Sequence, residues 1–143
     1  VPDGGRRPLR FVHADDVARA LVALAERDAP PERFAYNLAQ PDEPTLRELL
    51  ALAAACLGAS PRLVDVPAAR LAAAGVDPDA LPYAGRWCSR PDPALAASEW
   101  GFEAAPTAGY LPAVIRGHLE DAPPSHPGYA QRGRELELAR ALA

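Results

Sequence analysis

With 143 residues, 49% of them hydrophobic, the chain has material for one core and little room for a second. A formal net charge of −4 argues against a polyanion partner such as nucleic acid, which asks for a concentrated basic face. All 15 basic residues are Arg, so Schiff-base chemistry, a phosphate-loop lysine and a Tyr-x-x-x-Lys proton relay are excluded within these residues.

Cys56 and Cys88 are too far apart for a ligand pair and too few for a disulfide scaffold, which predicts a reducing compartment and two buried apolar fillers. No apolar run approaches the roughly 20 residues needed to span a bilayer, and no leader pattern opens the chain. The expectation is a cytoplasmic protein. Val1 opens a chain without Met, and only ten residues precede Phe11, which points to a piece of a longer enzyme.

Leu9 to His13 reads as a strand, after which Asp15 or Asp16 supplies a capping oxygen and a negative charge to a helix with the apolar stripe Val17, Leu21 and Leu24. Beyond Ala29-Pro30-Pro31, Phe34 to Ala39 reads as a second strand ended by Gln40-Pro41. Strand, helix and strand at this spacing predict a parallel crossover. Thr45-Leu46-Arg47-Glu48 is a capping box, opening a helix that stops at Gly58 and buries Leu46, Leu49, Leu50, Ala53, Ala54 and Leu57.

Arg62 to Val66 is a third strand-like run, followed by an Ala-rich turn of helix from Pro67 to Ala74. Asp77 to Pro91 has no periodicity and reads as a binding loop. Asp92-Pro93 starts a helix that Gly101 stops, with Trp100 facing the core and Phe102 folding back as an anchor. Leu111, Val114, Ile115, His118 and Leu119 mark a further helix, with Pro112 tolerable only in its first turn. A Pro-rich linker then leads to a charged amphipathic helix over 129–143.

Arg10-Phe11-Val12-His13-Ala14-Asp15-Asp16-Val17-Ala18, Tyr36-Asn37-Leu38, the Thr45 helix, and Asp92-Pro93-Ala94-Leu95-Ala96 through Trp100-Gly101-Phe102 together resemble the C-terminal part of extended short-chain dehydrogenases, the NAD-dependent epimerase/dehydratase family. The resemblance implies an α/β fold: the C-terminal portion of an NAD(P)-binding Rossmann-type enzyme, with last sheet strands and a small mixed α/β substrate lobe. Residues 1–40 would end the nucleotide-binding sheet region, 41–122 form the substrate-binding lobe, and 123–143 supply a linker and C-terminal helix.

The same resemblance implies an oxidoreductase that uses NAD or NADP when intact and acts on a small-molecule substrate. The Gly-rich cofactor motif and the Tyr-x-x-x-Lys pair are absent here, so this chain alone would bind no cofactor, carry no catalytic residue and depend on a missing N-terminal Rossmann half. A homodimer is expected of the intact protein. The family's sugar-nucleotide members place Arg-Asp before the strand aromatic, where this chain has Leu9-Arg10, and a second Arg where it has Pro82. The alternative is a stand-alone, non-catalytic binding or regulatory module; an RNA-associated relative conflicts with the acidic balance.

The substrate candidates are Arg86, Trp87 and Arg90, because guanidinium forks grip anions and an indole offers a stacking face; a surface Arg-Trp contact is as common. His13 is a weaker substrate candidate, since a strand histidine more often bonds a backbone carbonyl. Asn37, at a strand end, is the one cofactor candidate, balanced by turn chemistry. Asp15 and Asp16 read as capping groups, and His118 and His126 lack a third ligand, so no metal site is expected.

Overall fold

The computed structural model describes residues 1–77, 81, 83, 89–121 and 127–142. Among these residues there are six α-helices, α1 (Ala14–Ala25), α2 (Leu46–Cys56), α3 (Ala68–Ala73), α4 (Ala94–Trp100), α5 (Thr107–Glu120) and α6 (Arg132–Ala141), with 3-10 turns at Asp3–Gly5 and Pro127–Gln131. About 52% of the chain is helical and 3% is strand, and no sheet forms among the described residues. This overturns the α/β, Rossmann-type expectation.

The three strand-like runs fail to become a sheet because each finds only isolated backbone partners. Leu9 N–H donates to the Pro44 carbonyl and Gln40 N–H to the Phe11 carbonyl, both at 2.8 Å. The isolated bridges run from Pro8 to Thr45, antiparallel, and from Pro2 to Val66, parallel; neither joins Leu9–His13 to Phe34–Ala39, so the expected parallel crossover is absent among the described residues as well. Arg62 to Val66 is held at its end, where Val66 N–H donates to Val1 and Asp3 N–H to Val66. Proline brackets these runs at Pro8, Pro41, Pro44, Pro61 and Pro67. Each proline withholds a ladder donor, and short runs without neighbours gain too little to pair.

α1 begins on Asp15 and Asp16 in its first turn, but neither caps it, and the residue before it, His13, makes no side-chain cap bond. Asp16 instead turns inward and is buried, accepting from the Ala105 backbone N–H at 3.0 Å and from Arg19. Asp16 and Ala20 are the buried residues of the helix; of the predicted stripe, Val17 and Leu24 are half-buried and Leu21 is 62% exposed.

α2 does carry the full capping box. Glu48 N–H donates to Thr45 Oγ1, and Thr45 N–H donates back to Glu48 Oε2 at 2.7 Å. Replacing Thr45 by Ala removes the cap acceptor and costs about 1 kcal/mol in denaturant unfolding. The helix lies against α5 with no residue fully buried, and its last turn projects outward, so Leu57 and the predicted filler Cys56 are exposed.

α4 starts where Asp92 accepts from Ala94 N–H at 2.9 Å and ends at Gly101, whose φ of 69° lies in the left-handed region that favours glycine. α5 starts four residues before the predicted Leu111, because Asp42, distant in sequence, accepts from the Thr107 N–H at 3.0 Å and caps the helix from outside. Pro112 consequently falls in the second turn, one turn later than the sequence rule allows, and leaves the Ala108 carbonyl without its helical donor.

Two small cores result. In the first, Ala20, Ala96 and Phe102 are buried beneath Val12, Tyr36, Leu38, Trp100 and Ala104. Trp100 packs edge-on to Tyr36, and its buried Nε1 has no partner among the described residues. In the second, Val66, Leu71 and Val76 are covered by Val64, Leu81 and, from the C-terminal helix, Leu138 and Leu142. α6 therefore docks rather than frays, fixed also by Arg134 donating to the Gly75 carbonyl. No helix of the described residues is long and apolar enough to cross a membrane.

Candidate functional site

The side chains with chemical potential converge after the Tyr36-Asn37-Leu38 run, where Gln40 precedes Pro41 and Asp42 and Glu43 lie between Pro41 and Pro44. Gln40 is completely buried. Its Nε2 donates to Thr107 Oγ1 at 2.7 Å and to the Asp42 carbonyl at 3.2 Å, its Oε1 accepts from the Tyr110 hydroxyl, and its carbonyl accepts from Arg10 Nε. One buried amide thereby ties the chain before α1, the entry to α2 and the first turn of α5. Burial raises the Tyr110 phenol above its ordinary value, so it holds its proton and serves as a donor.

Glu43 lies beside this knot and is held by two arginines. Oε1 meets Arg10 Nη1 and Arg90 Nε, each at 3.1 Å, and Oε2 accepts from Arg90 Nη2. The Glu43 and Arg10 side chains are only 20% and 17% exposed, whereas Arg90 reaches Glu43 from the surface at 60% exposure. Hydrogen bonding to Arg90 pulls the Glu43 carboxyl below its ordinary 4.5. Its contribution to stability is therefore present above pH 4.5 and lost as the pH falls through the lowered folded value. Acid unfolding of wild type and Glu43→Gln should show their stabilities converging below pH 4.5.

Glu43 also lines an open groove of about 610 Å³, floored by Pro44, Ala51, Leu52 and Ala55 and edged by Asp42 and Glu48. The two edge carboxylates already serve backbone donors, Asp42 at Thr107 and Glu48 at Thr45. The site thus offers an apolar floor beside a carboxylate shared by two guanidinium groups. It can hold a small amphipathic molecule; among the described residues it contains no nucleophile paired with a base.

Of the residues expected from sequence, Arg90 belongs to this site. His13 stacks on Tyr110, ring centroids 4.8 Å apart, and so reaches Glu43 only through Tyr110, Gln40 and Arg10. Asn37 is exposed and makes no side-chain bond among the described residues, so nothing links it to the site. Arg86 and Trp87 lie outside the described residues, as do Cys88 and His126. Sequence reasoning missed Gln40, Asp42, Glu43, Thr107 and Tyr110. Asp42 and Glu43 carried only the signal of a polar pair between two prolines, which also fits an ordinary turn, and Gln40, Thr107 and Tyr110 carried none.

The residues present do not fit a dinucleotide. Both helices that open beside the strand-like runs carry carboxylates in their first turns, Asp15 and Asp16 in α1 and Glu48 in α2, and these repel the pyrophosphate that such an N-terminus would otherwise bind. Gly4 and Gly5 are buried, but they sit in a 3-10 turn against Arg47 with no strand before them and no long helix after. Among the described residues no three His, Cys, Asp or Glu side chains converge to hold a metal ion. Comparison with protein-family models, with curated proteins and with solved structures finds no match.

Proposed function

We propose that the chain is the substrate-binding part of an NAD(P)-dependent oxidoreductase of the epimerase/dehydratase type, acting with a cofactor-holding half that supplies the catalytic residues. The observation that carries this reading is the meeting of Arg90 with Arg10 on Glu43 at the edge of the groove. Substrate recognition needs a few placed polar groups beside apolar surface, and this groove supplies both. The absence of Lys keeps hydride-transfer acid/base work off this chain, leaving it to shape specificity.

The test is calorimetric titration of the purified chain with UDP-glucose and with glucose 6-phosphate. Saturable binding that Arg90→Ala weakens about tenfold is expected. No binding of either, or binding indifferent to Arg90→Ala, contradicts the reading. A second reading, a stand-alone binding module, is supported by the way the helices close two cores without a sheet. The two separate on NADH oxidation: the enzyme reading requires it of a protein that contains this chain together with a cofactor-holding half, whereas the module binds its ligand without it.

A further inference from the structure

We infer that the outward face of α1 docks on the same face of a second copy of this chain, the two helices lying antiparallel with Arg19 of each against Glu26 of the other. None of these residues lines the groove, so the inference stands apart from the substrate-binding reading.

Ala14, Ala18, Leu21, Val22 and Ala25 recur at the spacing of one helix face, and all five are exposed, Leu21 at 62% and Val22 at 57%. α1 buries its opposite side, through Asp16 and Ala20, so it also carries an apolar stripe that no described residue buries. Single exposed apolar residues need no partner, whereas a stripe along a whole helix marks a contact surface. At 100° per residue, Asp15, Arg19 and Glu26 stand along one edge of the stripe, and the half-buried Val17 and Leu24 form the other. Glu26 continues the helical turn, its N–H donating to the Val22 carbonyl at 3.0 Å.

The charged edge identifies the occupant. In a two-fold antiparallel pair the same edge of each helix meets, and residue i opposes j wherever j opposes i. Arg19 against Glu26 of the second copy therefore occurs twice and sets the two-fold axis between Val22 and Ala23, beside the largest side chains of the stripe. Asp15 then falls opposite Pro30, past the end of the other helix, so no like charges meet. A slip of one turn puts Asp15 against Glu26 and is repelled, and a parallel pair turns the charged edge onto Val17 and Leu24. Antiparallel packing also opposes the helix dipoles. Arg19 holds Asp16 through Nη2 and is 64% exposed, with further donors on its fork. The stripe is about 18 Å long, short of a standard interface, so association is weak and depends on concentration.

The experiment is sedimentation velocity from about 10 μM to about 1 mM on wild type, Leu21→Lys, Glu26→Arg and Arg19→Glu, with a circular dichroism spectrum of each. Wild type should pass from monomer to dimer, and Leu21→Lys and Glu26→Arg, both at exposed positions, should weaken association about tenfold. An equimolar mixture of Glu26→Arg and Arg19→Glu should recover it, because every 19–26 contact in the mixed dimer pairs opposite charges. If Arg19→Glu loses its helical spectrum through its contact with Asp16, the two exposed variants decide. A wild type that stays monomeric throughout overturns the inference and leaves the stripe to a different chain. A dimer that Leu21→Lys or Glu26→Arg leaves intact overturns it too, since the copies then join elsewhere or in another register.

Discussion

Replacing Gln40 by Ala should lower the unfolding free energy by about 3 kcal/mol, the largest effect expected of any single polar residue in this chain. Two costs add. The side chain is completely buried, so its loss leaves a cavity. Its partners then lose their bonds to it: Thr107 is buried and Tyr110 half-buried, and their hydroxyl groups are left with each other. A thermal shift of about 10 °C is the corresponding readout for a domain of this size. The mechanism is separable from cavity formation by a double-mutant cycle. Gln40→Leu keeps most of the volume and takes the amide from the Thr107 hydroxyl, whereas Gln40→Leu with Thr107→Val removes both partners. The double variant should recover about 1 kcal/mol relative to the sum of the single variants, because an absent polar pair costs less than half of one.

Asp16→Ala should cost about 2–3 kcal/mol, read as a drop in the urea midpoint with an unchanged slope. Asp16 is 2% exposed and accepts from the Ala105 backbone N–H, the bond that seats the segment between α4 and α5 against α1. Arg19, its other partner, is 64% exposed and finds water when Asp16 is removed, so the loss falls mainly on the Ala105 donor and on the packing of Ala20 beneath it. Asp16→Asn retains one acceptor at nearly the same position and should lose about half as much. An Asp15→Ala variant serves as the comparison: that side chain is 79% exposed, and its loss should leave stability within about 0.5 kcal/mol of wild type.

These two residues mark the boundary of what the sequence discloses. Local signals worked where the local chain decides the outcome. The Thr45–Glu48 capping box, the Gly101 stop, the Asp92 start and the buried Phe102 all stand in the structure because each depends on neighbours within a few residues. Signals failed where distant groups decide. Asp16 reads as a cap from its position, yet it bonds Ala105, and of the apolar stripe of α1 Leu21 is exposed while Val17 and Leu24 are half-buried. The start of α5 is set by Asp42 rather than by its own periodicity.

The α/β expectation failed for a related reason. Alternating apolar residues at Leu9 to His13 and Phe34 to Ala39 state what a strand would bury and not whether a neighbouring strand exists to pair with it. The structure places Tyr36 and Leu38 in the first core through their side chains while the backbone gains only the Gln40–Phe11 bond. The candidate site was legible at Arg90 alone. Its other members acquire meaning only when α2 and α5 bring Glu43, Gln40 and Thr107 together.

The central claim is that the described residues form a helical unit held by the Gln40 knot, with no sheet among them. Backbone NMR of a dilute sample tests it most directly, through secondary chemical shifts and interstrand contacts over 9–13, 34–39 and 62–66. The account predicts helical shifts across α1 to α6, slow exchange of the Thr107 amide, and no ladder among the three runs. A continuous set of parallel interstrand contacts between Leu9–His13 and Phe34–Ala39 would contradict it.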